Sequence, residues 1–180
     1  KYASSSINFP TNSTLSVLYE SWMALSDQDF TMEMWAYPTD SSGGTLWSFG
    51  YDADNRLDFG WQGSGGIRLL IETSNVSETV FTSSDAVSTY LNSWVHIAVV
   101  RSGTTFTLYI NGTSTATGTS SLSIVEDTTD GWTFGGREFS ADYSGGNPND
   151  PFTGYLENIQ LIKVAKYTSN FTPPTQEQGR

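Results

Sequence analysis

Two polar loops carry the residue types that could do chemistry, and the longer of them reads ADYSGGNPND. It contains Asp142, Asn147, Asn149 and Asp150, so carboxylates and side-chain amides share a glycine-containing segment. Calcium takes roughly six to eight oxygen ligands, and such side chains supply them together with backbone carbonyls. The sequence therefore predicts a calcium site in this loop, with these four residues as ligands.

The shorter loop, YDADNRLD, is a second calcium candidate with Asp52, Asp54, Asn55 and Asp58. Neither loop has the ligand spacing of an EF-hand. Asp and Asn are also frequent in turns, because their side chains hydrogen-bond to nearby backbone groups. A purely conformational role is therefore the alternative for both loops.

Aromatic and hydrogen-bonding residues in or beside the loops predict a second kind of site. Sugar rings present C–H faces that stack on exposed aromatic rings, while Asp, Asn and Arg side chains bind hydroxyl groups. The candidate ligand-binding residues are Trp61, Arg137, Phe139, Tyr143 and Asn147. We expect Tyr143 or Trp61 to stack on a sugar. A hydrophobic cluster buried beneath the long loop would explain the same aromatic residues without a ligand.

His96 is the one histidine of the chain and lies in the segment WVHIAVV. A general base needs a nucleophile and an orienting partner within hydrogen-bond reach. This segment is apolar on both faces, as a central strand covered on both sides would be. We interpret His96 and Trp94 as core residues of the scaffold.

Carboxylate pairs for glycoside hydrolysis, which lie roughly 5 to 9.5 Å apart, are not apparent in the sequence. Glu33 and Glu157 lie on predicted strands, but the same-face positions two residues on hold no acid. The chain is therefore predicted not to be an enzyme. Glu72 and Glu78, on neighbouring predicted strands, could pair across a hairpin and keep an unusual glycosidase open as an alternative.

Composition excludes several classes of function. The net charge of −11, with only eight scattered Lys and Arg residues, would repel nucleic acid. There is no cysteine, so thiolate metal sites and a cysteine nucleophile are excluded. No segment approaches the roughly 20 apolar residues of a membrane helix.

Alternating apolar residues predict the strands that position these loops. DFTMEMWAYP, TLWSFG, RLDFGWQGS, IRLLIET and ETVFTSS form a series separated by short turn-rich spacers. WVHIAVV, TFTLYI and TSTATGT follow as three consecutive strands, the last two joined by a type I′ turn at Asn111-Gly112. GWTFGG and the long closing segment FTGYLENIQLIKVA complete the set. The predicted fold class is all-β, a two-sheet antiparallel β-sandwich.

Chain length and the lack of an internal linker predict one domain over residues 1–172. Residues 173–180 begin with two prolines, which cannot donate ladder hydrogen bonds. They are predicted to form an extended C-terminal tail or linker.

The order of SINF, DFTMEMWAYPT, WVHIAVVRSGTTFTLYINGT, GWTFGG and FTGYLENIQLIKVAKYTSNFTPP resembles the laminin-G-like, concanavalin A-like jelly rolls over nearly the whole chain. The resemblance implies two curved antiparallel sheets with sugar or protein ligands bound at loops on the rim or on one sheet face. The ending KVAKYTSNFTPPT is similar to domains of bacteriophage tail, fibre and other appendage proteins.

Together with these observations, the resemblance implies a lectin-like, non-catalytic module in an extracellular virion, binding a glycan on the host cell surface with calcium as a candidate cofactor. Weak single sites would gain avidity on a homotrimeric fibre or another array. The alternative is a structural domain that contacts other virion proteins without binding sugar, which exposed apolar patches and buried loop aromatics would favour.

Overall fold

The computed structural model describes residues 6–52, 55–63, 65–74, 76–124, 131–137 and 150–175, and these form an all-β sandwich. Two short 3-10 helices, Ser21–Met23 and Val87–Thr89, interrupt the strands. The strands are β1 (Ile7–Phe9), β2 (Leu15–Val17), β3 (Phe30–Pro38), β4 (Gly44–Asp52), β5 (Asn55–Trp61), β6 (Ile67–Thr73), β7 (Val76–Thr82), β8 (Val95–Ser102), β9 (Thr105–Ile110), β10 (Thr113–Thr119), β11 (Trp132–Phe134) and β12 (Gly154–Ile162).

Each of the two sheets has six strands, paired antiparallel throughout. The first sheet has the order β1-β12-β3-β8-β9-β10, and the second has the order β2-β11-β4-β5-β6-β7. The predicted fold class is confirmed, including the series β4 to β7 and the consecutive strands β8, β9 and β10. No helix in the described part of the chain has the length and apolar character that a membrane crossing requires.

The core lies between the sheets because each strand turns alternate apolar side chains inward. On β3 these are Phe30, Met32, Met34 and Ala36, all at most 2% exposed. Trp47 and Trp132 are likewise buried between the sheets. Aromatic rings fill much of this space, and Trp47 stacks on Phe59 with ring centroids 5.0 Å apart. The strand alternation thus leaves the loops and the outward sheet faces for contact with a partner.

The hairpin between β9 and β10 confirms the predicted turn. Ile110 pairs with Thr113, and the two residues between them, Asn111 and Gly112, have φ angles of 50° and 76°. A type I′ turn needs positive φ at both positions, which Asn and Gly tolerate best. The Asn111 side chain also accepts a hydrogen bond from the His96 amide at 3.0 Å, which ties the turn to β8.

The closing strand is shorter than predicted, because β12 begins at Gly154 and ends at Ile162. Residues 163–172, which we call the C-terminal strap, leave the ladder and cross the outward face of the first sheet. Tyr167 and Phe171 stack on each other there, and both contact Tyr109 on β9. The Phe171 amide then donates to the Gly112 carbonyl at 2.9 Å. Strand β8 is therefore covered on both faces, as its sequence predicted.

A buried carboxylate fastens the strap to the sheet. Glu33, on the outward face of β3, accepts hydrogen bonds from Lys166 and from the Tyr167 hydroxyl, the latter at 2.7 Å. Burial alone would raise the pKa of Glu33, but interactions with His96, Lys166 and Tyr167 outweigh it and lower the pKa to about 2. This carboxylate is therefore a structural anchor under the strap.

Candidate functional site

Three loops meet at one end of the sandwich and enclose a cavity of about 240 Å³, which we call the rim cavity. Its lining residues are Ser42, Gly43, Gly44, Trp61, Gln62, Gly63, Asp150 and Pro151. The loops approach closely: the Thr45 amide donates to the Asp150 carbonyl at 2.8 Å. Gly44 has φ of +126°, and a Cβ there would lie 2.4 Å from the Pro151 carbonyl oxygen. Glycine is thus required where the chain enters β4 beside this loop.

Trp61 contributes to this cavity but is only 1% exposed. Its Nε1 donates to the Asp85 carbonyl at 2.9 Å, and its ring packs against Phe152 and Tyr90. The prediction that the Trp61 ring stacks on a sugar is wrong, because neighbouring rings cover the surface that a sugar would need. The buried aromatic cluster considered as its alternative is what the structure shows.

A charged cluster on the outward face of the second sheet adjoins the rim cavity. Asp58 on β5 is its centre: Ser48 Oγ donates to it at 2.6 Å, and Arg56 Nε lies 2.7 Å from its Oδ2. Arg137 Nη1 donates to the same oxygen at 3.2 Å. Arg56 also pairs with Glu72 on β6. The Asp58 side chain is 6% exposed, so the two arginines share a carboxylate largely removed from water.

Asp150 joins this cluster to the rim cavity, because its carboxylate pairs with Arg137 and it also lines the cavity. Its side chain is 55% exposed, and no other charged residue in the described part of the chain lines the cavity. Trp61, Arg137 and Asp150 are thus brought to one region. The remaining predicted site residues, Phe139, Asp142, Tyr143, Asn147 and Asn149, lie outside the described residues.

The calcium predictions are tested only where their residues are described. Within the described ranges, no three His, Asp or Glu side chains are grouped as a metal site. Asp58 of the shorter loop is on a strand and held by two arginines, and the Asn55 side chain accepts from the Ser74 amide at 3.1 Å. Asp58 is therefore not a calcium ligand in this arrangement. Asp150 pairs with Arg137, and calcium at the longer loop stays a prediction.

The carboxylate pair that left a glycosidase open is not formed. Glu72 lies opposite Ser77 and Glu78 lies opposite Ile71, so their side chains are on different faces of the sheet. Glu72 pairs with Arg56, while Glu78 accepts from the Ser120 hydroxyl at 2.7 Å. The two acids have separate structural partners.

His96 has the buried scaffold position that the sequence predicted, at 1% exposure. Its Nε2 lies 3.6 Å from Glu33 Oε2, and its ring meets Trp35 and Phe171 edge-on. Its Nδ1 is buried without a hydrogen-bond partner, so only one ring nitrogen faces a polar group. The strap covers this region, and the arrangement offers no open cleft beside the imidazole.

A second cavity, of about 280 Å³, opens between the edges of the two sheets and is lined by residues with apolar side chains. Its lining residues are Ile7, Leu15, Val17, Trp22, Met23, Met32, Trp132, Phe134, Ile159 and Leu161. Trp22, at 57% exposure, and the partly exposed Ile7 and Leu15 give it an apolar surface. We call it the edge groove.

Arg56, Ser42 and Gln62 are not among the site residues predicted from the sequence. Arg56 and Asp58 are two residues apart on a predicted strand, so their alternation already placed them on one face. That spacing was the available signal for the charged cluster. Ser42 and Gln62 lie in loops on different strand connections, and nothing in the local sequence indicates that these loops meet.

Comparison with known proteins gives a consistent assignment of the fold. The laminin G type 3 family model, described as the concanavalin A-like lectin/glucanases superfamily, matches residues 4–167. No match was found among curated proteins.

Solved structures with the same fold include three that differ in function. A CBM40 domain of the Ruminococcus gnavus IT-sialidase, bound to α2,6-sialyllactose, has a TM-score of 0.71 and 15% identity, covering 91% of this chain and 92% of that one. Domains LG4-5 of the mouse laminin α1 chain have a TM-score of 0.66 and 15% identity, and the match covers 94% of this chain and 47% of that one. A leech intramolecular trans-sialidase has a TM-score of 0.71 and 17% identity, and the match covers 91% of this chain and 26% of that one. With the family model spanning most of its length, the chain belongs to the concanavalin A-like lectin/glucanase superfamily.

Proposed function

We propose that the chain is a non-catalytic carbohydrate-recognition module that binds a glycan at the rim cavity. The observation that carries this proposal is the cavity itself, where polar side chains and backbone groups from three loops converge. Binding sites for small ligands combine a concave surface with a few placed polar groups. The superfamily and the sialyllactose-bound CBM40 domain support the choice of a sugar.

Hydrogen bonding would dominate recognition at this site. Asp150 offers acceptors, while the Ser42 hydroxyl and the Gln62 amide can both donate and accept. These groups match the alternating donor and acceptor character of sugar hydroxyls. Since the Trp61 ring is buried, it adds no stacking face. A cavity of about 240 Å³ holds little more than one sugar ring, so each site would bind weakly.

The wider setting that we propose is a phage virion appendage that binds host surface glycans. Its support is the ending KVAKYTSNFTPPT, which resembles appendage domains. Display on a homotrimer or another array would raise avidity, since later contacts become intramolecular. Calcium at the longer loop belongs to the same proposal and is tested below.

Replacing Asp150 with alanine is expected to weaken glycan binding by about tenfold or more, because a charge-assisted hydrogen bond contributes about 1.5–3 kcal/mol. The measurement is a glycan array probed with the multimerised chain, followed by titration of the strongest glycan. Glu20→Ala, at an exposed position that does not line the rim cavity, is the matched control and should bind like wild type.

The same array is run with a chelator. Loss of binding would support calcium at the loop, and unchanged binding would remove calcium from the proposal. If no glycan binds the multimerised chain, or if Asp150→Ala binds like wild type, the rim cavity is not the site.

A second candidate function is a joining domain that contacts protein rather than sugar, and the edge groove favours it. Exposed large apolar side chains cluster there, and contiguous apolar patches mark interaction sites. Trp22→Asp is expected to weaken self-association or virion-protein binding in sedimentation experiments, whereas Val76→Asp, similarly exposed on β7, should not. Equal behaviour of the two variants would argue against this candidate.

A further inference from the structure

The charges around the rim cavity restrict the class of glycan that it can accept. Among the described residues that line the cavity, Asp150 alone is charged, and its partner Arg137 lies between Asp150 and Asp58. Arg56, the other guanidinium of the charged cluster, lies between Asp58 and Glu72. The cluster thus combines two cations with three carboxylates in a chain whose net charge is −11.

Guanidinium groups are the side chains best suited to bind a ligand carboxylate or sulfate, because they form paired hydrogen bonds to such anions. Here both guanidiniums are already paired with carboxylates of the chain. An anionic sugar would have to displace Asp58 or Asp150 from a guanidinium and deprive that carboxylate of a cationic partner. For the largely buried Asp58, the loss of one of its two arginines would be especially unfavourable.

The hydrogen-bonding capacity of Asp150 also disfavours an anionic glycan. A carboxylate only accepts hydrogen bonds, so Asp150 needs a donor from the ligand. Hydroxyl groups supply donors, whereas a carboxylate or a sulfate supplies only acceptors and would repel Asp150. We infer that the rim cavity recognises uncharged, hydroxyl-rich glycans and rejects sialylated or sulfated ones. This inference rests on the proposed function and names its ligand class.

Arg68 is the cation that could reverse this preference. It lies on the outward face of the second sheet, opposite Gly60 and Thr82, and within the residues that the structure describes its side chain has no ion pair or hydrogen bond. It is not among the residues lining the rim cavity. If an anionic glycan bound to this face, Arg68 would be its available guanidinium.

The test uses an array that carries matched neutral, sialylated and sulfated forms of the same core glycans, probed with the multimerised chain. We expect neutral members to bind, and a sialic acid or sulfate on the bound core to reduce binding by about tenfold or more. Since no ion pair forms with the ligand, binding should change little between about 0.1 M and 1 M NaCl. Arg68→Gln should bind like wild type.

Two other outcomes distinguish failure of this inference from failure of the proposed function. Preference for the anionic members, with binding lost at high salt and in Arg68→Gln, would overturn the inference and leave a glycan-binding function in place. No binding to any member would remove the proposed function and the inference together. Asp150→Asn is a matched variant, because its side-chain amide offers a hydrogen-bond donor. The difference in affinity between neutral and anionic glycans should therefore be smaller for this variant than for wild type. Thermal unfolding confirms that the variant is folded.

Discussion

Replacing Glu33 with alanine is expected to lower the free energy of unfolding by about 3 kcal/mol, because each hydrogen bond to a charged group contributes about 1.5–3 kcal/mol. The Glu33 carboxylate is buried and accepts hydrogen bonds from Lys166 and Tyr167. Its removal leaves both groups without that acceptor and releases the C-terminal strap. Urea denaturation measures the loss, and Glu20→Ala, at an exposed position, should change stability by less than about 0.5 kcal/mol.

The same carboxylate makes stability depend on pH. Its pKa is about 2 in the folded protein, below its ordinary value of 4.5. The stabilisation is therefore fully present above pH 4.5 and is lost as the pH falls towards 2. Glu33→Gln should show a smaller loss of stability over this range than wild type. Identical pH profiles for the two proteins would contradict the role of Glu33 as the anchor of the strap.

The second large effect is expected at Asp58, the centre of the charged cluster. Asp58→Ala leaves Arg56 and Arg137 without their shared carboxylate and should reduce the free energy of unfolding by about 3 kcal/mol. Arg137 would then be held by Asp150 alone, so glycan binding at the rim cavity should fall as well. Thermal unfolding and glycan titration on the same samples measure both effects.

Asp58→Asn is the matched variant, because it keeps the size of the side chain and an acceptor for Ser48 while removing the charge. We expect its stability to lie between those of wild type and Asp58→Ala. Wild-type stability in both variants would mean that the two arginines are satisfied without Asp58.

Much of the fold could be predicted because the strands encode it locally. The alternation in DFTMEMWAYP determines which face of β3 is buried, and Asn111-Gly112 determines a turn type through backbone conformation alone. Strands β1 and β2, with three residues each, are too short for alternation to be recognised. The segment SINF, which contains β1, was identified by the family resemblance rather than by periodicity.

The site was harder to predict because its contacts join distant parts of the chain. Asp58 and Arg137 are 79 residues apart, and Glu33 and Tyr167 are 134 residues apart. Trp61 follows a strand pattern and precedes a glycine-rich turn, so its sequence fits an exposed or a buried ring equally well. The Trp61 ring is buried because Tyr90 and Phe152 pack against it, and these contacts are not apparent in the sequence.

The route of the C-terminal strap has a practical consequence for how the protein is presented to glycans. The strap returns the chain from the end of β12 to Gly112, at the same end of the sandwich as the start of β8 and the end of β3. The loop after β3 also leads into the rim cavity. A sensor chip or bead coupled after Pro174 would therefore attach at the end of the sandwich that carries the cavity, and β1 lies at this end too, because Phe9 pairs with Gly154 and Gly154 with Pro38. Coupling through the turn between β8 and β9, at the opposite end, would leave the cavity facing solution.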